Sequence, residues 1–197
     1  MYDETTAAAA PGYPLRYDVE YPEELSRWLI FVKWLLVIPH VVILYALSIA
    51  AGVIGFIAFF AILFTKRYPR GLFDFVVNVN RWNANVMAYE MLFRDEYPPF
   101  SWEPGEYAVT YEVDYPEELN RWLPLIKWLL AIPHIIVLLF LFIAVYFVFI
   151  IAFFAILFTK RFPRGLFDFT VGVHRWNYRV SVYTNLQRDE YPPFSLR

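Results

Sequence analysis

Two histidines, His40 and His134, hold the chemically most suggestive positions in this sequence. Each follows a proline inside a long apolar segment. Imidazole nitrogens ligate haem iron and transition metals, and an ionisable side chain inside a membrane is a functional candidate. If the two segments packed about a twofold axis, the rings could face each other and hold a haem. We favour a structural role, because an imidazole beside a proline can cap a carbonyl that the proline leaves without a donor.

A cluster of basic residues follows each apolar segment. The clusters are Lys66, Arg67 and Arg70 in the first half of the chain, and Lys160, Arg161 and Arg164 in the second. Basic side chains at a membrane surface are attracted to anionic lipid headgroups, at about 1 kcal/mol each. Binding of headgroups or of a partner is one hypothesis. We favour the simpler one, in which the clusters anchor the topology of the chain.

Carboxylates recur near these basic clusters. They are Asp74, Asp95 and Glu96, with Asp168, Asp189 and Glu190 in the second half. Paired carboxylates can act as acid and base or bind a cation, but salt bridges to the basic clusters are the favoured interpretation. The chain has no glycine-rich phosphate loop, no GxSxG or HExxH motif and no cysteine. We therefore predict no catalytic residue and no metal site, and a non-enzymatic protein is favoured.

The composition is that of a membrane protein. Hydrophobic residues make up 59% of the chain and aromatic residues 21%, more than a soluble domain of this size can cover with polar side chains. Tryptophan suits the boundary between hydrocarbon and water, so six tryptophans are predicted to be interface anchors: Trp28, Trp34, Trp82, Trp122, Trp128 and Trp176. The formal net charge of -2 argues against a nucleic-acid partner. Membrane lipids are the expected partners.

The elements that position these residues occur twice. A shift of 94 positions aligns the chain with itself without a gap; for example, Ile57 to Arg67 recurs unchanged as Ile151 to Arg161. Such self-similarity is typical of a duplicated unit. The predicted organisation is a disordered leader (1–14), a first membrane repeat (15–102), a linker (103–106) and a second repeat (107–197).

Each repeat is predicted to be mainly helical. Alternating Tyr and Val at its start indicate a short β-strand, 17–21 in the first copy. An apolar segment follows, 28–64 or 122–158, and then an amphipathic stretch, 72–93 or 166–186. Because that stretch mixes asparagines and charges with an aromatic sector, it is predicted to be a helix lying in the membrane interface.

The apolar segments are too long for one crossing, since a spanning helix needs about 20 residues. We favour a helical hairpin in each repeat, which places both basic clusters and both termini on the cytoplasmic side. The tips, near 45–52 and 139–146, lack polar turns, so the hairpins could instead be re-entrant. The alternative is a single span per repeat, preceded by an interfacial helix.

The repeated motifs resemble a family of bacterial membrane proteins known as a domain of unknown function. They include Tyr-Pro-Glu-Glu-Leu, Ile-Pro-His, Phe-Thr-Lys-Arg-x-Pro-Arg-Gly-Leu-Phe-Asp-Phe, Arg-Trp-Asn and Tyr-Pro-Pro-Phe, and both copies keep them. The family often occurs in tandem, in actinobacteria and related groups. The resemblance implies a small inner-membrane protein and brings no assigned activity, so no functional residues are carried over.

Three functions are therefore weighed. The leading hypothesis is a non-enzymatic, multi-pass protein of the bacterial cytoplasmic membrane that acts as a scaffold or accessory subunit of a larger membrane complex. Its strands would pair with each other, or offer an edge to a partner. The second is lipid binding or transport of a small solute between the repeats. The third is a haem-binding redox subunit that uses His40 and His134; otherwise no cofactor is predicted.

Overall fold

The computed structural model describes residues 12–197, so most of the predicted leader lies outside the described residues. The chain is mainly helical, and the two repeats have the same order of elements. The first contains β1 (Leu15–Val19), α1 (Lys33–Leu36), α2 (Ile38–Thr65) and α3 (Arg70–Glu90); the second contains β2 (Val109–Val113), α4 (Lys127–Leu130), α5 (Ile132–Thr159) and α6 (Arg164–Thr184). A single 3-10 turn precedes each short helix.

The two strands pair with each other across the repeats, as predicted. They form an antiparallel ribbon in which Tyr17 lies opposite Tyr111. These two residues are equivalent in the two copies, so a pseudo-twofold axis passes between them. Tyr178 lies beside this axis, with its ring centre 4.7 Å from that of Tyr17 and 5.2 Å from that of Tyr111. Its counterpart is the small Ala84, which leaves room for one tyrosine ring at the axis.

The hairpin prediction is wrong, because each apolar segment contains one continuous helix. The proposed tips, 45–52 and 139–146, lie in the middle of α2 and α5. With 28 residues each, these helices are about 42 Å long. The chain instead breaks before Pro39 and Pro133, which occupy the first turn of each long helix, where proline is tolerated. A mid-segment turn without polar residues would leave backbone groups unpaired in lipid.

The N-terminal segment of each repeat caps the long helix of the other. Lys66, in the left-handed region at φ 60, ends α2, and its carbonyl accepts a hydrogen bond from the Leu119 amide at 2.8 Å. The Leu25 amide donates in the same way to the carbonyl of Lys160, also at 2.8 Å. The last carbonyls of a helix need such donors. The two repeats are therefore interlocked rather than joined only by a linker.

Helices α3 and α6 lie inside the protein rather than flat in the membrane interface. The main neighbours of α3 are α2 and β2, and those of α6 are α5 and β1. The sector of α3 predicted to face lipid is buried in protein: Phe73, Val76, Val77 and Trp82. That prediction is corrected, because the apolar sector covers the neighbouring helix and the ribbon. The lipid-exposed candidates are instead α2 and α5.

Candidate functional site

Each of the two candidate histidines, His40 and His134, is enclosed in a box of aromatic side chains. His40 is fully buried, and Phe100 stacks on its ring at 3.9 Å between ring centres. The Trp82 indole donates a hydrogen bond to His40 Nδ1 at 3.1 Å, and Tyr97 packs at 5.0 Å. Because an indole nitrogen can only donate, Nδ1 accepts and the proton of the neutral ring lies on Nε2. Among residues 12–197, Nε2 has no hydrogen-bond partner.

The second box repeats the first, and the two histidines do not face each other. Trp176 donates to His134 Nδ1 at 3.0 Å, and Phe194 stacks on the ring at 4.0 Å. The aromatic neighbours of each imidazole come from its own repeat: a tryptophan of α3 or α6, and a tyrosine and a phenylalanine of the segment that follows that helix. The facing arrangement required for a shared haem is therefore not formed, and the geometry supports a packing role.

Each repeat also contains a buried ion pair, which no local pattern in the sequence predicts. Lys33 is 2% exposed, and its Nζ lies 2.8 Å from Asp95 Oδ1. The same ammonium donates to the Arg94 carbonyl at 2.6 Å and lies 4.7 Å from the centre of the Tyr89 ring. The Asp95 carboxylate also accepts from the Ser26 amide. This lysine clamp ties the start of α1 to the loop after α3.

The second repeat contains the same clamp. Lys127 Nζ lies 2.8 Å from Asp189 Oδ1 and donates to the Arg188 carbonyl at 2.7 Å. The Asp189 carboxylate accepts from the Asn120 amide at 2.6 Å. Burial lowers the pKa of both lysines, and the nearby carboxylates oppose that shift. The only signal in the sequence was that each lysine and aspartate recurs at the same spacing.

The basic clusters lie at the ends of the long helices, and most of their charges are paired. Lys66 contacts Glu118 at 2.7 Å, and Arg70 contacts Asp74 at 3.0 Å. The second cluster repeats the pattern, with Lys160 near Glu24 and Arg164 bound to Asp168. Arg67 and Arg161 are exposed and form no ion pair within residues 12–197. The bridges predicted for Asp74 and Asp168 are present, whereas Asp95 and Asp189 bind the clamp lysines instead.

The six tryptophans fall into two groups. Trp28, Trp34, Trp122 and Trp128 are 64–79% exposed, beside the long helices. Trp82 and Trp176 are only 6% and 5% exposed and belong to the histidine boxes. The anchor prediction is therefore corrected for these two, because their side chains are buried in protein rather than available to headgroups.

An extensive apolar surface covers the outer sides of α2 and α5. Both helices are long and apolar enough to cross a membrane, and only 11% and 22% of their most apolar windows are buried in protein. A core helix of a soluble protein would be mostly buried. Exposed side chains occur along the whole of α2, from Val42 through Val53 to Phe64. This surface far exceeds the isolated apolar residues that are normal on a soluble protein.

Two grooves, equivalent by the 94-residue shift, open beside the middles of the long helices. The aromatic groove has a volume of about 620 Å³ and is lined on α5 by Phe142, Tyr146 and Phe149. The small-residue groove has a volume of about 420 Å³ and is lined on α2 at the corresponding positions by Ser48, Gly52 and Gly55. The two copies therefore differ in the walls of these grooves.

The edges of the ribbon are blocked at its centre. Backbone hydrogen bonds join Glu20 to Ala108 and Asp114 to Pro14. Hydrogen-bonded and non-hydrogen-bonded residue pairs alternate along an antiparallel ribbon. Tyr17 and Tyr111 are therefore a non-hydrogen-bonded pair, and their carbonyls point outward from the two edges. Arg175 Nε donates to the Tyr17 carbonyl at 2.8 Å, and Arg81 Nε donates to the Tyr111 carbonyl at 3.0 Å. These bonds disfavour addition of a partner strand.

Comparison with known proteins gives a family but no activity. The model of a domain of unknown function, DUF4389, matches residues 27–101 and again residues 122–195. No curated protein and no solved structure matches the chain. The two matches cover the helices of both repeats, whereas the strands lie outside them. The resemblance noted from the sequence motifs is confirmed. Because the matches span most of its length, the chain belongs to the DUF4389 family and contains two tandem copies of its domain.

Proposed function

We propose that this protein is a non-enzymatic membrane scaffold embedded in the bilayer from one side. Helices α2 and α5 lie in the lipid, roughly parallel to the membrane plane, and the charged outer face of the ribbon points to the aqueous phase. The observation that carries the proposal is the apolar surface that runs along the full length of both helices. Binding to a membrane strengthens with the apolar area that the protein buries in the bilayer.

A transverse orientation conflicts with the position of the ribbon. Asn80 of α3 lines the same groove as Gly52 in the middle of α2, and Arg81 binds the centre of the ribbon. If α2 crossed the bilayer, the ribbon would lie level with the hydrocarbon centre. Its outer face carries the exposed ion pairs of Arg16 with Glu112 and Asp114. Each charge at that depth costs at least about 2.5–3.5 kcal/mol, and open sheet edges do not occur in lipid.

The depth of α2 tests this orientation directly. The chain has no cysteine, so a single spin label can be placed at Val42, Val53 or Phe64, which are 64%, 57% and 75% exposed. These positions are 11 residues apart and share one face of the helix. An embedded helix gives three similar depths by oxygen and nickel accessibility. A spanning helix places neighbouring sites about 16 Å apart along the membrane normal, and that result would exclude the proposal. A label at Thr110 on the ribbon should remain accessible to water.

The unpaired arginines are expected to contact lipid headgroups in this orientation. Replacing both Arg67 and Arg161 by glutamine should reduce the enrichment of phosphatidylglycerol around the protein, by roughly fivefold for each arginine at about 1 kcal/mol. Enrichment is measured by mass spectrometry of lipids retained from mixed nanodiscs. Arg16→Gln on the ribbon removes one positive charge away from the membrane and should have no effect. A loss in that control as large as that of Arg67→Gln or Arg161→Gln alone would attribute the result to net charge.

The scaffold function is favoured over transport because the protein offers surfaces rather than a polar path. Pull-down from native membranes in mild detergent should recover a partner complex, and the ribbon face is the surface that remains free on the aqueous side. A chain that always purifies alone as a monomer would argue against a scaffold. Lipid binding is the second candidate, and the small-residue groove supports it.

A further inference from the structure

The small-residue groove is lined by uncharged residues only. Its walls are Ser48, Ala51, Gly52 and Gly55 of α2, Tyr68, Val76 and Asn80 of the same repeat, and Thr184, Asn185 and Leu186 of the other. The aromatic groove differs, since Lys33, Glu90 and His174 line it. A site without ionisable walls favours a neutral ligand, because a charge there would be desolvated without a counter-charge.

One of the residues that line this groove, Tyr68, carries a buried hydroxyl without a partner in the described part of the chain. Tyr68 is 1% exposed, and within residues 12–197 its hydroxyl makes no hydrogen bond. Its counterpart in the second repeat is Phe162, which is equally buried. The ring is therefore sufficient for packing, and the hydroxyl is an addition confined to the small-residue groove. Buried polar atoms usually have partners, so this hydroxyl indicates a ligand that completes it.

A second unpaired polar group is expected beside the first. Gln187 is fully buried, and neither atom of its amide has a partner in the described part of the chain. Its counterpart, Phe93, has its ring centre 5.9 Å from that of Phe162 and 5.9 Å from that of His174. By the repeat symmetry, Gln187 lies next to Tyr68 and Asn80, behind the groove wall rather than on it. The groove itself combines the Tyr68 hydroxyl with the amides of Asn80 and Asn185, groups that both donate and accept.

We infer that the small-residue groove binds a neutral diacylglycerol from the bilayer. The inference rests on the proposed embedding, which brings the middle of α2 into contact with lipid. Acyl chains match the glycine-lined wall, where an added Cβ at Gly52 or Gly55 meets nothing within 4 Å. The free hydroxyl and ester carbonyls of the glycerol match the Tyr68 hydroxyl and the Asn80 amide, which both belong to groove-lining residues. A ligand with carbonyls alone would leave the acceptor oxygens of these two side chains unpaired.

Photocrosslinking in nanodiscs tests the inference. The probes are a diacylglycerol and a phosphatidylcholine that carry the same photoreactive acyl chain, and labelled peptides are mapped by mass spectrometry. We expect the diacylglycerol to label the segments around Gly52 and Tyr68. The double variant Gly52→Tyr, Gly55→Phe introduces the side chains found at Tyr146 and Phe149, and should reduce labelling at least about tenfold. Tyr68→Phe, which copies Phe162, should reduce it roughly three- to tenfold by removing one hydrogen bond.

The controls separate groove binding from general lipid contact. Val53→Phe enlarges an exposed neighbour and should leave labelling unchanged. Equal labelling of the wild-type and filled proteins, or equal labelling by phosphatidylcholine, would overturn the inference, as would a Tyr68→Phe variant that labels like the wild type. Spin-label depth measured in the same nanodiscs keeps the two proposals distinct. If a spin label at Phe64 lies deep in the bilayer but diacylglycerol does not label the protein, only the groove proposal is rejected. If the label at Phe64 is accessible to water, the proposed embedding is rejected.

Discussion

Asp95→Asn is expected to lower the free energy of unfolding by about 3–5 kcal/mol, because it leaves the buried Lys33 ammonium without its counter-charge. The lysine is 2% exposed and lies 2.8 Å from the carboxylate. For a chain of this size, each kcal/mol shifts the melting temperature by roughly 2–4 °C. Thermal unfolding in mild detergent measures the effect. Asp189→Asn should cost as much, because Lys127 is equally buried.

Two further variants identify the cause of this loss. Asp74→Asn breaks an exposed salt bridge, in which the side chain of Arg70 is 66% exposed and that of Asp74 is 48% exposed. It should lower the free energy of unfolding by only about 0–1 kcal/mol. Lys33→Met combined with Asp95→Asn removes both charges and keeps an acceptor for the Ser26 amide. This pair should recover most of the stability, since removing both charges of a buried ion pair also removes the cost of desolvating them. If Asp95→Asn costs no more than Asp74→Asn, the clamp is not a stabilising element.

The clamp shows where the limit of sequence reasoning lies. The strands, the amphipathic helices α3 and α6, and the duplication could be predicted. Each depends on local periodicity or on direct self-comparison of the sequence. Lys33 and Asp95 are separated by a long helix, a loop and α3, so no local pattern connects them. The acids were predicted to bind the basic clusters nearby in sequence. In the fold, only Asp74 and Asp168 do so, because they are one helical turn from Arg70 and Arg164.

The hairpin prediction was wrong for a different reason. The length of the apolar segment 28–64 predicts two helices if the whole segment is helical. The first part instead forms a 3-10 turn and α1, which end before Pro39. Proline in the first helical turn was the available signal. Basic clusters on one side are equally compatible with a hairpin and with the proposed embedded helix, so the charge pattern alone could not distinguish them.

The role of the histidines depended on which side chains surround them, and this could not be predicted from one sequence. His40 and Trp82 lie on different helices, α2 and α3, and Phe100 follows α3 in an irregular segment. The recurrence of Arg-Trp-Asn and Tyr-Pro-Pro-Phe marked these residues as important to both repeats without connecting them to Ile-Pro-His. Their convergence on the imidazole is a property of the packed fold.

Trp82→Phe should therefore cost about 1–3 kcal/mol beyond the loss of ring volume, because it leaves His40 Nδ1 buried without a donor. A double-mutant cycle with His40→Leu isolates the hydrogen bond, with an expected coupling of about 1 kcal/mol. Trp176→Phe with His134→Leu gives an independent copy of the same experiment in the second box. Trp34→Phe is the matched control, since its indole is 65% exposed and its replacement should change stability by less than about 0.5 kcal/mol. If Trp82→Phe costs the same with and without His40, the indole acts through packing alone. A coupling found in both boxes would establish that the histidines orient the tryptophans between α2 and α3 and between α5 and α6, a role that uses Nδ1 of both imidazoles.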